Sequence, residues 1–268
     1  MSLRQRVPTA LVLLTIVFLW IQYLPYLGFF LVLQVLIIVS LLEFYNLPLK
    51  RKLFPQKTFG VFIALIIGLS FYFEKISLEM ALFASLLLSA VYFLITFNRI
   101  EKLKHFSSSI ALTFFGAFYL SFTLNYFYSL RVEKGPFTIY FILAVIFLGD
   151  TGAFFFGKLL GRRKQVPMAS PNKTWEGSFG GILFACIGAV AAQQVLLKDI
   201  VLWKAILCGI CVHAVAQISD PLESLFKRAV GVKDSSNILP GHGGFLDRID
   251  SLILAGPFFY YFIKYFWK

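Results

Sequence analysis

Asp220, Glu223, Asp234, Asp247 and Asp250 are five of only 13 acidic residues in the chain, and they fall in one short stretch near its end. Carboxylate oxygens suit hard cations such as Mg²⁺, and two acid-bearing helix ends joined by a glycine-rich loop offer them from two sides. Asp220, Glu223, Asp247 and Asp250 lie at or near those helix ends. The connecting loop contains Pro240-Gly241-His242-Gly243-Gly244. Its glycines leave backbone N–H groups unobstructed by a Cβ, and such concavities bind phosphate. Lys227, Arg228 and Lys233 add positive charge before the loop, and Arg248 follows it. A tight turn into the next helix is the plainer account of the loop, but a single glycine would serve that purpose.

The residues before the loop carry a stripe. His213, Gln217, Asp220, Ser224 and Lys227 recur at steps of four, three, four and three, which places them on one helical face. Asp220-Pro221-Leu222-Glu223 also reads as an N-cap, a proline at N1 and an acid at N3. Pro221 cannot bond back to residue 217, so a break of the helix at Asp220 is expected. Asp247 and Asp250, three apart, share a face of the helix that follows.

A second cluster is Ser170-Pro171-Asn172-Lys173-Thr174-Trp175-Glu176-Gly177. Lys173 is expected beside a helix N-terminus, where anions bind readily. Asp150, in Gly149-Asp150-Thr151-Gly152, lies deeper in an apolar run, where a carboxylate needs a partner. Gly152 to Leu159 nearly fits a P-loop, but Leu159 replaces the Mg²⁺-binding hydroxyl and no strand precedes it. Cys208 and Cys211 have CxxC spacing inside an apolar run without further ligands, so they are read as packing residues. His105 is expected in a loop, and His213 packed and hydrogen-bonded.

The elements that must hold these groups are membrane helices. The chain is 59% hydrophobic and 14% charged, with a mean hydropathy of +0.81; a soluble domain carries roughly 25% charged residues. Nine apolar runs, at roughly 8–24, 28–47, 58–73, 77–97, 107–130, 137–160, 175–197, 200–229 and 246–264, approach the length of a helical span, about 20 residues. Alternating ten-residue strands are absent, which argues against an outer-membrane barrel. The expected fold is therefore all-α, a polytopic integral membrane protein forming one domain over 1–268. About 1–135 is motif-poor, and 136–268 carries the chemistry. The first run follows Arg4 and Arg6 without a small-residue cleavage site, and reads as an uncleaved span.

With the N-terminus on the cytoplasmic side, 18 of the 25 Lys and Arg residues fall in cytoplasmic segments, in keeping with the positive-inside rule. These include Lys50, Arg51, Lys52, Arg162, Arg163 and Lys164, and both polar clusters face the cytoplasm. The net charge of +12 is spread over several short loops rather than gathered in one patch, which argues against nucleic acid as a partner.

Ser224-x-x-Lys227-Arg228-x₄-Lys233-Asp234, followed by Pro240-Gly241-His242-Gly243-Gly244-x-x-Asp247-Arg248-x-Asp250, resembles the signature of CDP-diacylglycerol synthases, the phosphatidate cytidylyltransferases. The 170–177 and 149–150 segments resemble the same family. The first five runs carry no motif of it. The resemblance implies that CTP and phosphatidic acid give CDP-diacylglycerol and pyrophosphate at the cytoplasmic face of a bacterial-type inner membrane. It also implies a homodimer, a funnel-like cavity open to the cytoplasm and the bilayer, and dependence on Mg²⁺ at a two-metal site, with room for a monovalent cation such as K⁺. Asp220, Asp247, Asp250 and Lys173 are then the catalytic candidates, and Asp220, Asp247, Glu223 and Asp250 the metal ligands. Substrate binding falls to Ser170, Asn172, Lys173, Lys227, Arg228, Lys233, His242, Gly243, Gly244, Arg248 and Asp150. Two other readings stay open: a CTP-dependent polyprenol or dolichol-type kinase, and an ion-coupled transporter built on broken helices.

Overall fold

The computed structural model describes residues 3–51, 53–239, 241 and 243–267. Lys52, Pro240 and His242 lie outside the described residues, as do the side chains of Arg4, Arg6, Lys50 and Arg51. The chain divides into two units, Met1–Tyr128 with Asp234–Arg248, and Ser129–Lys233 with Ile249–Lys268. The signature loop thus packs with the motif-poor N-terminal helices.

In the first unit, α1 (Leu3–Tyr23), α2 (Tyr26–Asn46), α3 (Lys57–Tyr72) and α4 (Leu78–Thr96) are followed by the short α5 (Ile100–Leu103). Next come α6 (Phe106–Ala117), a π-helical turn over Phe118–Phe122, and α7 (Tyr126–Glu133), whose chain continues into the second unit. Lipid tails provide no hydrophobic drive between helices, so close approach and internal hydrogen bonds must hold them. Both are present. Gly60 and Gly116 lie against the ring of Tyr45, where a Cβ would come within 2.6 Å of ring atoms. Gln34 Nε2 donates to Asn125 Oδ1 at 2.7 Å, and Ser121 Oγ donates to the Ala64 carbonyl at 2.6 Å. Large apolar side chains such as Phe83 and Leu94 on α4 remain exposed, as lipid-facing positions require.

The second unit contains α8 (Pro136–Leu160), a hairpin of β1 (Lys164–Val166) and β2 (Ser170–Thr174), then α9 (Trp175–Leu196), α10 (Leu202–Ala229) and most of α11 (Leu246–Phe266). Pro136 at the first turn of α8 fits its missing N–H. α9 buries Gly177, Gly181, Ala185 and Ala189, four apart on one face. This small-residue seam lets α8 and α10 approach: a Cβ on Gly152 would sit 2.7 Å from the Gly180 carbonyl, and one on Gly209 2.7 Å from the Ala189 Cβ. Phe141 and Phe259 stack at 5.6 Å.

Each of the nine apolar runs is helical among the described residues. Among the described residues, six helices are long and apolar enough to cross a membrane, so the protein is an all-α polytopic membrane protein. The expected break at Asp220 is absent, because α10 runs through Pro221 to Ala229. Ser219 secures the helix beside the proline: its hydroxyl donates to the Asp250 carbonyl and accepts from Leu254 N. The basic segment after α8, expected as a loop, pairs as an antiparallel hairpin with Lys164 opposite Thr174.

Candidate active site

The second unit gathers most of the charged candidates. β2 delivers Lys173 to α10, where its Nζ lies 2.7 Å from Asp220 Oδ2, with both side chains less than a third exposed. Ser224, one turn on, donates to the other oxygen of Asp220 at 3.3 Å. Gln217, one turn back, donates to the Ser178 carbonyl at 3.0 Å and joins α10 to α9. The stripe read from the sequence therefore faces α9 and the hairpin. Asp150 of α8 is exposed yet lies within electrostatic reach of Asp220 and Lys173. Asp250 of α11 lies within reach of Asp220, Glu223 and Lys227.

Local capping explains why the hairpin presents Lys173 here. Thr174 is the N-cap of α9 and accepts from Gly177 N at 3.1 Å. Glu176, in the first turn, accepts from the backbone N–H groups of Arg162 and Arg163 at 3.0 and 3.2 Å. The hairpin is thereby fastened at its base.

The remaining cations are differently placed. Lys227 is buried and paired with Glu223 one turn away. Arg228 donates through Nε to the Ala169 carbonyl at 3.3 Å and through its terminal nitrogen to the Val232 carbonyl at 3.2 Å. Lys233 and Asn172 are exposed, and Ser170 is half-buried. His213 is 0% exposed, packed between Gly149 and Gly181. The expectation of a hydrogen-bonded histidine is corrected here, since neither ring nitrogen has a partner among the described residues.

The first unit holds the signature loop, and here Asp247 organises backbone. Its Oδ2 accepts from Ser235 N at 2.9 Å, Ser235 Oγ at 3.0 Å and Gly244 N at 2.8 Å. Gly241 and Gly243 adopt φ of +76° and +78°, the left-handed region in which glycine carries no Cβ penalty. Arg248 is exposed.

One residue absent from the sequence reading is central to this loop. Glu43 of α2 is 2% exposed and accepts from Ser235 Oγ, Ser236 Oγ, Phe245 N and Leu246 N at 3.0, 2.6, 3.1 and 2.9 Å. An acid inside an apolar run is a functional candidate by default, and that signal was present at Glu43.

Among the described residues, no three His, Cys, Asp or Glu side chains converge as a ready metal cage. Mg²⁺ does not demand one, because it keeps several waters and binds through one or two carboxylates plus substrate phosphates. The carboxylates around Lys173 fit that donor chemistry.

A sequence model of the cytidylyltransferase family matches residues 4–266. The chain belongs to the cytidylyltransferase family. Proteins named phosphatidate cytidylyltransferase are similar to it. One from Staphylococcus epidermidis is 37% identical over 171 residues, covering 64% of this chain and 65% of that protein. One from Bacillus subtilis is 38% identical over 191 residues, covering 70% and 69%. One from Haemophilus influenzae is 42% identical over 132 residues, covering 48% and 46%. The chain spans about two thirds, or less, of the length of these relatives.

Proposed function

We propose that this chain is a phosphatidate cytidylyltransferase, transferring CMP from CTP to phosphatidic acid to give CDP-diacylglycerol and pyrophosphate. The observation that carries this reading is the Lys173–Asp220 pair, a partly exposed cation on β2 held against the apolar helix α10 in a chain of this family. The relatives named for the same activity support the choice of substrates.

In the proposed reaction an oxygen of the phosphatidate monoester attacks the α-phosphorus of CTP. A new P–O bond forms, the bond to the β-bridging oxygen breaks, and pyrophosphate leaves with that electron pair. A phosphate monoester is already anionic near neutral pH, so no general base is required. Lys173 exchanges Asp220 for the triphosphate, and Lys233 and Arg248 draw the anionic substrates in. Lys227 and Arg228 fix the end of α10 and its connection to the hairpin. Mg²⁺ accompanies the nucleotide, and its proposed ligands are the four carboxylates named from the sequence, Asp220, Glu223, Asp247 and Asp250. Bound there, it would stabilise charge on the entering and departing oxygens.

The finer reading places nine spans in the membrane with the N-terminus and active site on the cytoplasmic side of a bacterial-type inner membrane, and the enzyme as a homodimer. The 18 to 7 division of Lys and Arg supports the orientation. The homodimer rests on the family resemblance alone.

The test is to incubate purified protein in detergent with phosphatidic acid, Mg²⁺ and CTP labelled at the α- or the γ-phosphate. The α-label should enter lipid, the γ-label should leave as pyrophosphate, and chelation by EDTA should stop both until Mg²⁺ is restored. Lipid carrying γ-label would establish a kinase instead. No label in lipid under any condition would favour transport.

A further inference from the structure

Within the first unit, a single carboxylate from the motif-poor half governs the shape of the signature loop. Glu43 divides its contacts evenly. Oε1 accepts from Ser236 Oγ and Phe245 N, and Oε2 accepts from Ser235 Oγ and Leu246 N. Four donors fill the acceptor capacity of a carboxylate. Leu246 is the first residue of α11, whose opening amides have no partner within the helix. Glu43 thus does from a distant helix what a capping side chain normally does from next door, and its negative charge suits the helix N-terminus.

Three further observations tie Glu43 to the loop rather than to general packing. Ser235 Oγ stands 3.0 Å from both Glu43 Oε2 and Asp247 Oδ2, and a hydroxyl has one proton to donate, so the two carboxylates share a single donor that serves one of them at a time. A Cβ on Gly244 would lie 2.4 Å from Glu43 Oε2, so the glycine leaves room for this acid. The remaining surroundings of Glu43 on α2, among them Leu41, Phe44 and Tyr45, are buried and largely apolar, an environment that by itself favours no charge.

We propose that Glu43 is a positioning residue for the transferase reaction, setting the chain at Ser235, Ser236, Phe245 and Leu246 and, through Ser235, the carboxylate of Asp247. The role rests on the phosphatidate cytidylyltransferase reading. Glu43 touches no substrate in this scheme. It acts through the loop.

The test compares Glu43→Gln, Glu43→Asp and Ser236→Ala with the unchanged chain, using steady-state kinetics with CTP and phosphatidic acid and hydrogen–deuterium exchange of the detergent-solubilised protein. Glu43→Gln keeps the size but turns an amide NH₂ toward two donors. Its kcat should fall about tenfold or more, the scale of lost charge-assisted hydrogen bonds, with both KM values changed far less. Exchange should rise at residues 235–246, with α8–α10 unaltered. Glu43→Asp should recover part of kcat, and Ser236→Ala should show a smaller loss in the same direction. Unchanged kcat and loop exchange in Glu43→Gln would overturn the proposal. So would exchange rising uniformly with kcat per folded molecule preserved, which marks a merely structural residue. Should Glu43→Gln fail to fold, Ser236→Ala decides by the same two readouts. If the unchanged chain transfers no CMP, the reaction reading fails, while the exchange data still decide whether Glu43 sets the loop.

Discussion

Lys173 Nζ and Asp220 Oδ2 stand 2.7 Å apart, joining a β-hairpin to the middle of a 28-residue helix. Both side chains are partly exposed, so the pair is accessible to an anion that competes for the lysine. An ion pair in that setting contributes modestly to stability, which makes it a better instrument for binding than for holding the fold.

If the pair acts as one unit, Lys173→Ala and Asp220→Asn should each lower kcat/KM by about tenfold or more. The double variant should fall by clearly less than the product of the two, because interacting residues are non-additive. Lys164→Ala, exposed on the neighbouring strand, should stay within about twofold, as for surface changes generally. Kinetics on the four proteins decide this. Fully multiplicative losses would mean that the two side chains act separately.

Gly244→Ala probes the crowding beneath the loop. The new Cβ would meet Ser235 Oγ at 2.1 Å and Glu43 Oε2 at 2.4 Å, so both must move. Overpacking of this kind costs about 1–3 kcal/mol, and activity should fall about tenfold while helix content by circular dichroism holds. Gly231→Ala is the comparison: its φ is +77° but nothing lies within 4 Å, so the strain stays in its own turn. Equal activity of the two variants would show that the clearance at Gly244 is immaterial.

Orientation is open to direct labelling. In a background with Cys186, Cys208 and Cys211 replaced by Ala, Met168→Cys occupies a position 81% exposed in the hairpin turn. Lys134→Cys occupies an exposed position before α8. A membrane-impermeant maleimide should reach the first only in inverted vesicles and the second only in intact spheroplasts. Labelling of both from one side would dismiss the nine-span arrangement.

The helices were legible because apolar runs and their punctuation are local. The runs read from about 137 and 28 begin within two residues of α8 and α2. The continuous path of α10 through Pro221 was not legible, since the bonds that steady it come from Ser219 to α11, 31 and 35 residues away. The hairpin of β1 and β2 was missed for a related reason. Its strands are three and five residues long, too short for an alternating pattern to register.

The candidate site was read in its members more than in its pairings. Asp220, Lys173, Glu223 and Lys227 were named from residue type and spacing, because charges in an apolar chain are few and conspicuous. That Lys173 belongs to Asp220, or that Arg228 serves the Ala169 carbonyl 59 residues away, depends on how α9, α10 and the hairpin pack. Glu43 shows the limit most sharply. Its type and its place in an apolar run were visible, but its partners at Ser235 and Ser236 lie 192 and 193 residues away.

The sequence by itself determined that this is a helical membrane protein and that the pattern of its scarce charges is that of a cytidyl-transferring family. Each of those follows from local quantities: hydropathy over a helix length, residue type and spacing. Only the tertiary structure decided which charge answers which. A buried carboxylate must find donors wherever the fold brings them, and close helix packing brought to Glu43 a loop from the far end of the chain.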